Sequence, residues 1–469
     1  MQQDRGRQRR PVIEIKGLHL SSRSTQRPVS SSDMFTSLRS GNFRIFLAGQ
    51  LISNIGGWTQ RIAQDWLVLT LTGSATAVGV TTALQFLPTI ALGPIGGLIA
   101  DRYPKRRILL ITNSVMATCA GTLGLLTMEH RVTVLQIYAL ATILGIAVAV
   151  DNPTRQSFAN DLVGPLLLRN AISLNSAVFQ LGALIGPAIS GVLIGAIGIG
   201  SAFLVNCGSF LAALLALSVL RPADLVITRR APAQRGQVRA AARYLMAHPE
   251  MRYPTILAGI FSFFTMSLPV TMASFSSRVF HAGSSGFALL TSLMAAGSVV
   301  GSLLAARHGT FRLRGLVALA AALAGAQIGA SSIPGLLPLG IALIGLGLCV
   351  VLFGITANAT VQLAAGDHIR GRVLGLYLMV VMGAGCLGGP AVGAIDEWFG
   401  PRGGLLLGGL IPGAVTVVVG LRLARTAGIR PIPALRAGLA TRTHRFRGAD
   451  RAAGPERPPR SGWRRRVWP

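Results

Sequence analysis

Along most of the chain, apolar runs long enough to cross a bilayer alternate with short polar turns. Twelve such runs are predicted as helices, at 43–71, 76–100, 107–128, 133–153, 170–196, 200–220, 254–280, 286–306, 314–332, 335–358, 371–397 and 403–424. The pattern breaks once, between the sixth and seventh, where Arg221 to Arg252 is polar and Arg-rich. The stretch Gln237 to Met246 within that break has helical, amphipathic character. The fold class expected is therefore all-α integral membrane, with twelve transmembrane helices in two pseudo-symmetric six-helix bundles. The expected divisions are a disordered cytoplasmic segment (1–42), an N-terminal bundle (43–220), a cytoplasmic linker (221–253), a C-terminal bundle (254–424) and a basic disordered tail (425–469).

One turn organises the rest. The run Val78 to Ala100 stops at Asp101; Arg102, Lys105, Arg106 and Arg107 follow, and Ile108 to Met128 begins at once. So short a connection between two membrane-length helices makes a hairpin. A leading carboxylate can sit against the positive end of another helix, while the arginines reach acids or lipid phosphates. Such a turn can lock one arrangement of a bundle and release it in another.

Composition narrows the class. Hydrophobic residues make up 51% of the 469, charged residues 13%, and 57 are glycines, a balance that suits close-packed membrane helices. The formal charge of +29 invites a nucleic-acid reading until the cations are located. Of 44, 40 fall at the two ends of the chain or in turns assigned to one side, and only Arg131, Arg278 and Arg402 fall in outer turns. That bias records topology, with both termini cytoplasmic, and removes nucleic acid as an expected partner. Anionic lipid at the inner face is the expected partner of the basic tail. Cys119, Cys207, Cys349 and Cys386 lie apart in apolar runs and the histidines lack ligand spacing, so neither a metal nor another cofactor is expected. No GxSxG elbow or GxxxxGK[ST] phosphate loop occurs, which leaves an enzyme or direct ATP drive without support.

The halves repeat. Gly182-Ala-Leu-Ile-Gly186-Pro187-Ala-Ile-Ser-Gly191 in the fifth run is echoed by Gly385-Cys-Leu-Gly-Gly389-Pro390-Ala-Val-Gly393 in the eleventh, with the prolines 203 residues apart and Arg169 matching Arg372 at the same offset. Glycines four apart let helices touch backbone to backbone, and each proline frees a carbonyl one turn earlier, so these helices are expected to serve as both seam and hinge. A six-plus-six repeat suits a protein whose halves rock about a central site.

Gly97-Leu-Ile-Ala-Asp101-Arg102-Tyr-Pro104-Lys105-Arg106-Arg107 resembles the signature loop of the major facilitator superfamily, and Gly182 to Gly191 resembles the proline-glycine motif of its antiporter branch. Asn54 to Trp66, Asp151-Asn152-Pro153-Thr-Arg155-Gln156 and Ile369-Arg370-Gly371-Arg372-Val373 look like the branch holding the enterobactin exporter and related drug and siderophore efflux proteins. The resemblance covers roughly residues 34 to 425. It implies a proton-driven exporter of a small, partly hydrophobic molecule, with Asp101 meeting the start of the eleventh helix near Arg370 to close an inner gate. The two lysines beside 42 arginines point to a GC-rich bacterium, and a monomer in the inner membrane is expected. The departures are Pro104 in place of Gly, Ala183 in place of an arginine, and a fourth helix without arginine.

Candidate chemistry sits mainly in the first run. Arg61 and Asp65, four apart, share a face and can neutralise each other, since each charge costs roughly 2.5–3.5 kcal/mol at a helix centre. With Asn54, Gln60 and Gln64 they form a polar stripe expected to face a central cavity. Two readings stay open: Asp65 carries the proton and the amides touch substrate, or the pair fixes the first helix to a neighbour. Asn175 and Gln180 are further cavity candidates. Asp151 and Arg155, at the inner end of the fourth run, form either a gate network or a surface cluster; Asp396 and Glu397 are expected in water at the outer end of the eleventh. A non-transporting sensor, or a facilitator of a lipid-like solute, remains the alternative. A cysteine placed at Tyr103 is expected to react with a membrane-impermeant thiol reagent only from the cytoplasmic side; reaction from outside would overturn this topology.

Overall fold

The computed structural model describes residues 37–220, 237–307, 313–366 and 369–426; the expected leader, most of the linker's polar half and the tail lie outside them. The described residues form helices and turns without a strand. In order they are α1 (Gly41–Thr72), α2 (Ala75–Arg102), α3 (Lys105–Met128), α4 (Val134–Ala196), α5 (Ile199–Val219), α6 (Gln237–Ala247), α7 (Pro249–Thr265), α8 (Leu268–Ser274) with a π turn at Phe275–Val279, α9 (Gly283–Arg307), α10 (Leu313–Ser331), α11 (Leu336–Ala364) and α12 (Arg370–Thr426).

Local chemistry sets several ends. Ser40 caps α1 by accepting from the Phe43 amide, and Gly73 ends it in the left-handed region at φ 65°, a conformation cheap only for glycine. Ser74 then caps α2, so α1 and α2 are joined by the tightest of turns. Thr133 and Gln136 close a capping box at the start of α4.

Ten stretches among the described residues are long and apolar enough to cross a membrane. Three differences from the expected twelve have physical causes. The 32-residue α1 falls outside the ten because its polar stripe lowers its hydropathy. The expected fourth and fifth runs lie on one helix, α4, as two candidate spans, Val134–Val163 and Asn170–Ala196; the polar stretch between them keeps helical hydrogen bonding. The expected eleventh and twelfth merge in α12, whose helical geometry breaks at Gly400 (φ 73°, ψ 165°) ahead of Pro401. The single apolar stretch Arg372–Ala424 is 53 residues, about 80 Å at 1.5 Å per residue, far more than one crossing needs. Large apolar side chains such as Leu135, Val192, Leu387 and Trp398 are more than two-thirds exposed, which in lipid is the favourable arrangement.

Two sets of helices pack as groups. In the first, α1 lies on α4 and α5, α2 on α4, and α3 on α5; in the second, α9 lies on α11, and α7 and α10 on α12. Close seams hold each group. A Cβ on Gly96 would collide with the Ala149 carbonyl and one on Gly145 with that of Gln85, while Gly297 and Gly347 meet the carbonyls of Ile344 and Met294 in the same way across α9 and α11. Between the groups the main contacts are α2 with α12 and α4 with α9. Replacing Gly297 by Val is expected to force α9 from α11 and to destabilise the fold by about 1–3 kcal/mol, the usual cost of overpacking; a thermal melt in detergent measures the loss.

Candidate functional site

The polar stripe of α1 divides on folding. The Gln60 Oε1 accepts a 2.6 Å hydrogen bond from Asn206 Nδ2 of α5, and Ser209 Oγ donates to Asn206 Oδ1 at 2.8 Å. Gly56 makes room for this seam, since a Cβ there would strike both Asn206 and Ser209. Gln60 is therefore committed to holding α1 on α5. Thr59 Oγ1 donates to the Gly186 carbonyl at 3.2 Å, and Asn54 backs directly onto Gly182, so the glycines of α4 seat α1. Pro187 is buried one residue beyond that contact.

Arg61 and Asp65 do not form an ion pair. Among the described residues the ion pairs are Lys105–Asp161, Arg131–Glu129 and Arg155–Asp151. The Arg61 guanidinium instead lies 5.1 Å from the ring centre of Trp58 and 4.9 Å from that of Phe86, a cation–π arrangement that substitutes for a carboxylate in an apolar setting. Asp65 is buried at 3% exposure, and Gln64 is buried with its Nε2 unpartnered. Asn175 and Gln180 are half-buried on α4.

At the inner end, Asp151 is wholly buried and accepts from Thr112 Oγ1 (2.7 Å), Asn113 Nδ2 (3.2 Å) and Arg155, whose other nitrogen donates to Gln50 Oε1 at 2.8 Å. This knot ties α1, α3 and α4 of one group together. It is neither a surface cluster nor a bridge between groups. Lys105 pairs with Asp161 at 2.5 Å, and Arg106 donates to the carbonyls of Leu217 (2.8 Å) and Ser218 (2.6 Å) at the end of α5. The basic turn is thus anchored to its own group, with Asp101, Arg102 and Arg107 exposed. Gly97 faces open space, and Gly96 is the residue that the packing requires. Arg370 and Arg372 are exposed at the start of α12, and Arg370 Nε donates to the Gln362 carbonyl at 3.2 Å.

The opposite end joins the two groups. Gly79 meets Gly389 and Pro390, Gly393 meets Ala75 and Thr76, and Gly191 meets Ala288. Trp66 of α1 stacks on Phe287 of α9 with ring centres 6.1 Å apart. Glu397 Oε1 accepts from Ser74 Oγ (2.6 Å) and from the Thr76 amide (3.0 Å), capping α2 from the other group, while Arg278 Nη2 donates to the Gly73 carbonyl at 2.6 Å. Sequence reasoning missed this set, because nothing in the sequence pairs residues that lie between 97 (Gly191 and Ala288) and 323 (Ser74 and Glu397) positions apart. It also put Asp396 in water, whereas its side chain is wholly buried. One signal was present: Asp396 follows Gly389 and Gly393 by seven and three residues, on the helix face that packs.

Two close-packed helical groups with an apolar exterior and a polar seam define a multi-pass helical membrane protein with the architecture of the major facilitator superfamily. The chain belongs to the transmembrane secretion effector family of that superfamily, which it matches over residues 32–434. It is similar to the staphyloferrin A transporter of Staphylococcus aureus (27% identical, covering 72% of this chain and 85% of that one) and to the multidrug efflux pump Tap of Mycolicibacterium fortuitum (25%, 75% and 88%). The enterobactin exporter EntS of Citrobacter koseri is 25% identical over 77% of this chain and 82% of its own length. Among solved structures, the fold matches a bacterial homologue of the lysosomal transporter Spinster, in an inward-facing and occupied conformation, with a TM-score of 0.63 at 18% identity over 81% of this chain and 97% of that one.

Asp151→Ala is expected to leave the Arg155 charge without its carboxylate and to cost about 3 kcal/mol or more, as breaking a buried pair does. A melt in detergent checks this, and Asp151→Asn, which keeps an acceptor, is expected to fall between the two.

Proposed function

We propose that the protein is a proton-driven exporter of a small, partly hydrophobic molecule, a drug or a siderophore, working by alternating access in a bacterial inner membrane with both termini cytoplasmic. The observation that carries this reading is where the two groups grip each other. Their backbone contacts at Gly79–Gly389 and Gly393–Ala75, and the seating of the Ala288 methyl on Gly191, gather toward the helix ends that the charge bias assigns to the outside. The basic turn at the other end is fastened within its own group by Lys105–Asp161 and Arg106. Halves gripped at the outside, with Lys105 and Arg106 of the basic turn held by their own half, suit an inward-open stage of a rocking cycle. Taking α1 as a crossing, α7 with α8 as one, and α4 and α12 as two each gives twelve.

The substrate class rests on the relatives' names, two of which concern siderophores and one many drugs. In this reading Asp65 carries the proton: it is buried and does not form an ion pair with Arg61. Asn54, Gln64, Asn175 and Gln180 remain the candidates for solute contact, and Asp101 with Arg370 and Arg372 remains the candidate inner gate.

Vesicles holding the purified protein and given an imposed pH gradient test the reading. Gradient-driven accumulation of a siderophore or drug supports antiport; flux indifferent to the gradient would replace it with facilitation; no flux for any solute would point to a sensor. Asp65→Asn is expected to reduce gradient-driven accumulation to the level of protein-free vesicles, and unchanged accumulation would make Asp65 structural.

A further inference from the structure

Asp396 has no role in the reading above, yet its environment is the least expected in the chain. Its side chain is fully buried, and beyond the Thr271 hydroxyl beside it neither carboxylate oxygen has a hydrogen-bond partner. Oδ1 lies against Gly404, across the break at Gly400, so closely that any side chain there would collide with it. The polar groups around it are the Thr271 hydroxyl of α8, the Arg278 guanidinium and the carboxylate of the adjacent Glu397. Elements packed against this stretch add no further charge: α8 has no titratable side chain, and the acids and bases of α2, α7 and α10 lie at their opposite ends. No group of three or more metal-binding side chains occurs among the described residues, so a cage for a metal ion is not formed here. A charged carboxylate so placed is costly, and a proton is the smallest ligand that removes the charge.

The neighbours give that proton a consequence. Arg278 spans two acceptors: it donates to the Gly73 carbonyl across the interface at 2.6 Å and sits within electrostatic reach of Asp396. Glu397 completes the same lock through Ser74 and Thr76. The geometry points to Asp396 as a proton-binding site that governs the outer lock: a proton from the external face neutralises its carboxyl and lets the lock close, and loss of that proton opens it. With Asp396 neutral, Arg278 is left to Gly73. With Asp396 charged, the guanidinium is drawn toward the carboxylate and away from Gly73, and the buried charge itself favours a hydrated, parted interface. Only a proton moves, from external water to a carboxylate oxygen and back. The inference rests on alternating access, but not on protons being the driving ion.

The test uses the full chain in intact cells with Ser190→Cys as reporter, a fully buried position beside the Gly191–Ala288 contact. A membrane-impermeant maleimide is applied at external pH values from about 5.5 to 8, with the chain lacking the reporter as the background for its four native thiols. Labelling, divided at each pH by that of a free, exposed cysteine so that the thiol's own titration cancels, is expected to rise with pH, by up to about tenfold per unit if one proton is linked. Asp396→Asn, a near-isosteric neutral mimic, is expected to hold labelling low and flat. Arg278→Gln, at an exposed position, is expected to raise labelling at low pH and flatten the slope. A pH-independent reporter in the parent chain, or a full slope kept in either variant, would overturn the inference. Flux in vesicles is scored separately, so loss of gradient drive with the slope intact sinks proton antiport alone, and a flat slope with intact gradient drive sinks the Asp396 site alone.

Discussion

Backbone-to-backbone contact between α2 and α12 is the constraint on which the remaining architecture depends. Lipid offers helices no hydrophobic driving force for association, so contact at van der Waals distance and polar bonds must supply it. Gly79 against Gly389, and Gly393 against Ala75, bring two helices of different groups as near as backbones approach. A methyl at these glycines would collide with backbone atoms that have nowhere to move. The same chemistry recurs inside each group, at Gly96 and Gly145 on one side and at Gly297 and Gly347 on the other. Seams of one kind thus hold both the parts and the joint between them.

What distinguishes joint from parts is the polar chemistry added to each. Within the first group, Asp151 accepts three hydrogen bonds and Gln60 is bonded to Asn206, arrangements that favour one rigid body. Across the joint, the polar bonds among the described residues are few: Glu397 to Ser74 and Thr76 and Arg278 to Gly73 at one rim, and deeper in only the weak donation of the Cys386 thiol to the Ala83 carbonyl at 3.5 Å. Few bonds at an exposed rim are cheap to break, because water replaces them as they part. Two braced groups with a breakable rim are what the proposed rocking cycle requires.

Among the described residues, the two buried carboxylates without an ion pair, Asp65 and Asp396, fall on opposite sides of this joint, one on α1 and the other on α12. The Arg61 guanidinium resting on Trp58 and Phe86 explains why Asp65 is left unpaired: two aromatic faces satisfy the cation and hold it away. A charge-only reading of the spacing Arg61 to Asp65 omits the Trp58 ring one turn earlier on the same helix and the Phe86 ring that α2 brings.

The sequence by itself determined the class. Apolar runs of crossing length, the one-sided cations, the acid-led turn at Asp101 and the repeated Gly-Pro motif were enough for a helical membrane transporter of this superfamily, because bilayer thickness and charge bias act on local sequence. Helix breaks were less legible. Gly400 before Pro401 bends a continuous α12, and the stretch between the fourth and fifth runs stays helical, since apolarity reports the lipid and says little about backbone hydrogen bonding beyond it. Partners were decided by the tertiary structure alone. Gln60 belongs to Asn206, Arg61 to its rings, Lys105 to Asp161, Glu397 to the start of α2, and Asp396 to a dry interior, because each of these fates depends on which helix arrives opposite, a non-local fact that no periodicity encodes.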